Sequence, residues 1–207
     1  MELLNFKRQL QYTPLPKTQE QARQIINTLP PEFEYQTFFG HDASRKKAIS
    51  SDMSQYQIIH FASHGILDRE HPERSGIVLS AINQQGELQR GLLSTPDTFN
   101  LNLSADLVVL SGCRTGLGKE YRGEGIVGLT GGLMYGGAKR VVVSLWSVEE
   151  EATTELMKRF YQEMFTNQLP AAAALRAAQL SMWEDSQWQT PYNWAAFTIQ
   201  GEWKDLN

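Results

Sequence analysis

"DLVVLSGCRTGLG", residues 106–118, decides how this chain is read. Leu107 to Leu110 form an unbroken apolar run of strand length, which suits a strand covered on both faces of a sheet. The run stops at Ser111-Gly112, and the next residue, Cys113, is the only cysteine among 207 residues. A lone cysteine is usually a small buried hydrophobe. This one is flanked by loop formers, Gly112, Arg114, Thr115 and Gly116, which is not a core setting. A single cysteine also rules out an internal disulfide.

The rest of the chain alternates strand and helix patterns. "YQIIHFAS" (56–63) and "KRVVVSLW" (139–146) are further apolar runs of strand length. "ELLNF" (2–6), the aromatic "FEYQTFFG" (33–40) and "NWAAFTIQG" (193–201) read as strands as well. "LPKTQEQARQIINTLP" predicts a helix with Thr18 as N-cap, Gln21 three residues on, and Pro30 as the stop. "DASRKKAISSDM" predicts a short helix capped by Asp42 or Ser44. "GIVLSAINQQGELQRGLL" reads as a hairpin turning at "NQQG". The glycine-rich "GEGIVGLTGGLMYGGA" predicts a helix packed closely on the sheet. "EEEATTELMKRFYQEMF" and "LPAAAALRAAQLSMW" are amphipathic helices. The pattern predicts one α/β domain over residues 1–207: a mostly parallel central sheet of about six strands with helices on both faces.

Composition excludes several classes. The net charge is −4 and the pI about 5.6, so neither a nucleic acid nor an anionic membrane is the expected partner. No apolar run approaches the ~18 residues of a membrane span, and the N-terminus lacks a signal-peptide core. A cytoplasmic location is the expectation.

In parallel sheets, active sites gather at the carboxyl ends of strands. The strand 56–63 runs into His64-Gly65, and the strand 106–112 runs into Cys113. Neighbouring strands would bring the two side chains together. A thiol is mostly protonated at neutral pH. An adjacent imidazole that takes its proton makes it a strong nucleophile. The backbone N–H groups of Gly65 and Cys113 could face a developing oxyanion, each worth ~2.7–4 kcal/mol in the transition state. His60, inside its strand, reads as structural.

Other signals carry less. "GEGIVG" (123–128) fits G-x-G-x-x-G, but a long loop separates it from the preceding strand. His60, His64, Asp68 and His71 match no standard metal-ligand spacing. No G-x-S-x-G is present. No cofactor or metal is expected.

"IIHFASHG", "DLVVLSGCRTGLG", "GEGIVGLTGGLMYGGAKRVVVSLWSVEEEAT" and "NWAAFTIQGEW", in that order and spacing, resemble the CHAT domain, a caspase-like peptidase family related to separase. The family is common in bacteria and often fused to tetratricopeptide repeats. The resemblance implies a caspase–hemoglobinase fold, an α/β/α sandwich, and a Cys/His dyad carried onto Cys113 and His64. Relatives often place an acidic residue where this chain has Arg114. They also carry a further N-terminal portion and repeats, so the resemblance points to a short catalytic unit with a regulatory repeat domain or partner protein.

In caspase-like folds the loop after the next strand helps build the substrate pocket. Here that loop is "SLWSVEEE", residues 144–151. Glu149 or Glu150 could pair with a basic side chain, Ser111 could line the pocket, and Trp146 could floor the cleft. The competing reading makes Ser147 a helix cap with Glu149, Glu150 and Glu151 in the first turn, where the dipole favours acids. The expectation is a cysteine endopeptidase cutting protein or peptide substrates after a basic residue, arginine before lysine. Self-cleavage at Lys119 or Arg122 is a further possibility of the sequence. The rival class is a caspase-like module without catalysis that only binds protein partners. A nucleotide-binding domain is third.

Overall fold

A computed structural model describes residues 15–66, 68, 70–112 and 124–202. The main sheet is built from β1 (Ile58–Phe61), β5 (Leu107–Leu110), β6 (Arg140–Ser144) and β7 (Phe197–Gly201), side by side in that order. β1, β5 and β6 are parallel, and β7 closes the sheet antiparallel to β6. Register pairs Ile58 with Leu107 and Val109 with Val142, so these four residues share one face.

Both faces are covered, which explains the lack of polar alternation in β5 and β6. On one face Ile58, Leu107, Val109 and Val142 pack with Leu156, Phe160 and Tyr161 of α5 (Glu150–Phe165), Leu175 and Ala178 of α6 (Ala171–Glu184), and Ile25 of α1 (Thr18–Ile26). On the other, Ile59, Val108, Leu110, Val141 and Val143 pack with Ala48 of α2 (Arg45–Ala48) and with Leu129 and Leu133 of α4 (Glu124–Tyr135). A second, antiparallel sheet joins β2 (Gly65–Ile66), β3 (Gly76–Val78) and β4 (Leu92–Ser94). It grows straight out of the end of β1.

Several local expectations change. The predicted hairpin is present as β3 and β4, with its turn at Asn83–Gly86, where φ of Gly86 is +80°. The α1 N-cap is Lys17 rather than Thr18; the Thr18 hydroxyl instead donates to the Leu15 carbonyl, 2.9 Å away. Ser44 caps α2 by accepting from the Lys47 amide. A five-residue helix that the sequence reading passed over, α3 (Thr95–Phe99), starts with a Ser94/Asp97 capping box. Gly132 of α4 serves this helix: a β-carbon there would overlap Thr98 and stand 3.0 Å from the Phe99 ring.

The main sheet has four strands among the described residues, where six were expected. "ELLNF" lies outside the described residues. "FEYQTFFG" is a correction: it is mostly exposed, ends where Gly40 opens a 3-10 turn, and pairs with no strand among the described residues. A strand needs a hydrogen-bonded neighbour, and none of the described strands pairs with it.

Candidate active site

The site is assembled where β1 and β5 end. Ser63 precedes His64, Gly112 is the last described residue before Cys113, and the backbones of Ser63 and Gly112 touch. A β-carbon on Gly112 would stand 2.6 Å from the Ser63 nitrogen and 2.7 Å from its carbonyl carbon. Only glycine permits that approach. The parallel register makes it: Phe61 sits opposite Leu110, and the Ser111 amide donates to the Phe61 carbonyl at 3.1 Å. Cys113 itself, like Arg114, Lys119 and Arg122, lies outside the described residues.

His64 is buried, 7 % exposed. Its carbonyl accepts from the Val78 amide at 2.8 Å, and Gly65 pairs with Ile77. The Ser63 hydroxyl donates to the Val78 carbonyl. The small sheet thus anchors residues 63–65 from the side opposite β5. β3 sits close enough to β4 for this because Gly76 passes 2.8 Å, measured from a notional β-carbon, from Ser94 Cα.

A chain of buried polar groups runs beneath. His60 Nδ1 meets the Tyr161 hydroxyl at 3.0 Å, and His60 Nε2 meets Ser111 Oγ at 2.7 Å. Ser111 in turn donates to Gln21 Oε1 at 3.0 Å. With the Ser111 proton committed to Gln21, His60 donates from Nε2 and accepts the Tyr161 proton at Nδ1, which suits a neutral ring. Burial pushes the His60 pKa down to about 4 and the Tyr161 pKa up. His60 therefore ties β1 to α5 and to the end of β5, in keeping with a structural role.

Beside Gly112 a small cavity of about 160 Å³ opens, walled by Ser111, Ser144, Glu149, Glu150, Thr153 and Thr154 from one side and by Leu15, Thr18 and Gln21 from the other. Glu149 is the N-cap residue of α5 and is exposed. The Glu150 carboxylate accepts from the Lys17 backbone amide at 3.0 Å, and Glu151 pairs with the Lys17 ammonium at 3.2 Å. The competing reading is half right: Glu150 and Glu151 lie in the first turn of α5, but Glu149 is the N-cap residue, and the buried Ser147 hydroxyl finds no partner among the described residues. Val148, not Trp146, is the apolar loop residue lining this cavity. Trp146 stacks on Tyr192 at a centroid distance of 6.4 Å and donates its indole N–H to the Tyr192 carbonyl. Gln21, Thr153 and Thr154 escaped the sequence reading. They reach the cavity from α1 and α5, and no local motif marks them. Among the described residues, no three His, Asp or Glu side chains gather as a metal site, and no helix is long and apolar enough to cross a membrane.

This architecture belongs to a caspase-like class related to cysteine peptidases: the sequence model of the CHAT domain matches residues 4–202, and the chain is a member of the CHAT domain family. Among curated relatives, it is similar to tetratricopeptide repeat protein 28 of Mus musculus, 26 % identical over 223 residues, covering 94 % of this chain and 9 % of the relative. The Homo sapiens protein of the same name matches with the same identity and coverage. The chain thus spans about a tenth of the length of these relatives, which are animal proteins.

Proposed function

We propose that this chain is a cysteine endopeptidase domain in which Cys113 is the nucleophile and His64 its base. The observation that carries the reading is the backbone contact between Gly112 and Ser63, which supports convergence of the two residues that follow them. His64 takes the thiol proton, and the sulfur attacks the peptide carbonyl carbon. The oxyanion forms near the N–H groups of Gly65 and Cys113. Collapse breaks the C–N bond, and the imidazolium returns its proton to the leaving amine. Water, deprotonated by His64, then hydrolyses the thioester.

The cavity beside Gly112 receives the side chain of the residue before the scissile bond, in line with its acidic wall. Glu150 is already engaged by Lys17, so Glu149 is the carboxylate left to meet a guanidinium, while Glu150 shapes the wall. Ser111 contributes backbone lining, because its hydroxyl serves His60 and Gln21. Trp146 braces the cleft-side loop against Tyr192. A caspase–hemoglobinase-type α/β/α sandwich accords with this assignment. A protein or peptide is the substrate, a repeat domain or repeat protein the regulatory partner, and an unpaired reactive thiol suits the reducing cytoplasm.

A peptide chloromethylketone ending in arginine tests the reading. Mass spectrometry is expected to find the label on Cys113 alone, with labelling lost in His64→Ala. Labelling that is unchanged in His64→Ala, or spread over other nucleophiles, would leave the chain a binding module.

A further inference from the structure

The one buried residue of α1 is polar. Gln21 is 3 % exposed, and no aliphatic side chain of the helix is buried as deeply. Helices on a core normally bury apolar side chains and leave glutamine in water, as α5 does with Leu156, Met157 and Phe160. The deepest contact of α1 is instead a hydrogen bond: Gln21 Oε1 accepts from Ser111 Oγ at 3.0 Å. Nε2 of the same amide is buried without a partner among the described residues, so only the oxygen is in use. At its start α1 is also tied by Lys17 to Glu150 and Glu151. The two tethers join α1 to the end of β5 and to the start of α5, and both of those ends wall the cavity beside Gly112.

The buried chain Gln21–Ser111–His60–Tyr161 has one fixed end. The Ser111 and Tyr161 hydroxyls can each donate or accept, and a neutral imidazole carries its proton on either nitrogen. A carboxamide oxygen only accepts. Gln21 Oε1 therefore sets the direction of every bond: Ser111 gives its proton to Gln21, His60 Nε2–H donates to Ser111, and Tyr161 donates to His60 Nδ1, over 3.0, 2.7 and 3.0 Å. Take that oxygen away and the chain runs equally well either way. One direction leaves the Ser111 proton without a partner, and the other leaves the Tyr161 proton without one. In the second, the Ser111 hydroxyl turns from α1 to His60.

We propose that Gln21 is a positioning residue that acts through Ser111: its oxygen holds the Ser111 hydroxyl toward α1, and so fixes the end of β5 and the cavity wall at Gly112 in a single arrangement. The consequence for turnover rests on the peptidase reading of the site. The ordering of the buried chain does not.

Two readouts on the full chain test it. Nitrogen-15 NMR of the His60 ring at pH 7, where the ring is neutral because its pKa is about 4, is expected to show the proton on Nε2 alone in the wild type. In Gln21→Met, which keeps the length but loses the oxygen, both ring nitrogens become partly protonated. In the same variant kcat for a fluorogenic peptide ending in arginine, counted per Cys113 that takes the chloromethylketone, falls about five- to tenfold while KM moves less than about twofold. Gln21→Glu keeps an oxygen acceptor, protonated or not, and is expected to restore the Nε2–H ring and most of the rate. An unchanged ring or an unchanged kcat in Gln21→Met overturns the proposal, as does a Gln21→Glu chain that behaves like Gln21→Met. If Gln21→Met does not fold, the wild type and Gln21→Glu decide, and a proton on Nδ1 in either overturns it. If no peptide is cut and Cys113 takes no label, the peptidase reading falls, and the ring alone decides whether Gln21 orders the chain.

Discussion

The backbone of Gly112 lies directly against that of Ser63, with no room for a side chain between them. Two strands thereby end at one point, and in the sequence they are followed by His64 and Cys113, the residues proposed above as base and nucleophile. Gly112→Ala forces the strand ends apart. The expected cost is about 1–3 kcal/mol in urea unfolding, together with loss of peptide hydrolysis. An alanine variant with wild-type activity would mean that the contact does not set the dyad.

His60 gives the fold a defined pH response. Its pKa is about 4 when folded against 6.5 for the free side chain, because burial disfavours the imidazolium. The unfolded chain therefore binds the proton first. Stability is complete above pH 6.5 and falls as the pH drops toward 4, then levels for this group. The ring keeps some solvent contact, so the loss is set at about 2–3 kcal/mol, below the full value of the shift. Urea midpoints measured across that window in wild type and His60→Gln are expected to show the slope shrinking in the variant.

Asp97 acts lower on the pH scale. Burial alone would raise its pKa, but Arg45, which grips it at 2.6 Å and 3.0 Å, and the Ser94 cap hold it at about 2. Its contribution is present above the ordinary carboxylate value near 3.8 and is lost as the pH falls through 2. Asp97→Ala removes the capping box and leaves Arg45 without its partner. A loss of about 2–4 kcal/mol is expected in denaturant titration at pH 7, much less in Arg45→Met/Asp97→Leu.

Glu149→Gln separates the two acids at the cavity. For peptides ending in arginine, kcat/KM is expected to fall about ten- to hundredfold, with little change for neutral residues. Glu150→Gln should mainly loosen the α1–α5 contact at Lys17 and lower the Tm. Equal effects on charged and neutral peptides would remove Glu149 from recognition.

The amino-acid order was enough to name the α/β class and to find β1, β5, β6 and β7 within a few residues; it also put forward His64 and Cys113, on which the proposed function rests. Unbroken apolar runs, glycine stops and helical periodicity are local signals, and they survive in one dimension. It was not enough to show that segment 33–40 lacks a strand partner among the described residues, that Lys17 and Glu149 stand at the helix starts where Thr18 and Ser147 were candidate caps, or that Gly132 admits α3. Nor did it reveal that Gln21 and Thr153 share a cavity with Glu149. Those outcomes depend on which groups from distant parts of the chain arrive at the same place. Hydrogen-bond partners and excluded volume exist only once the layers have packed.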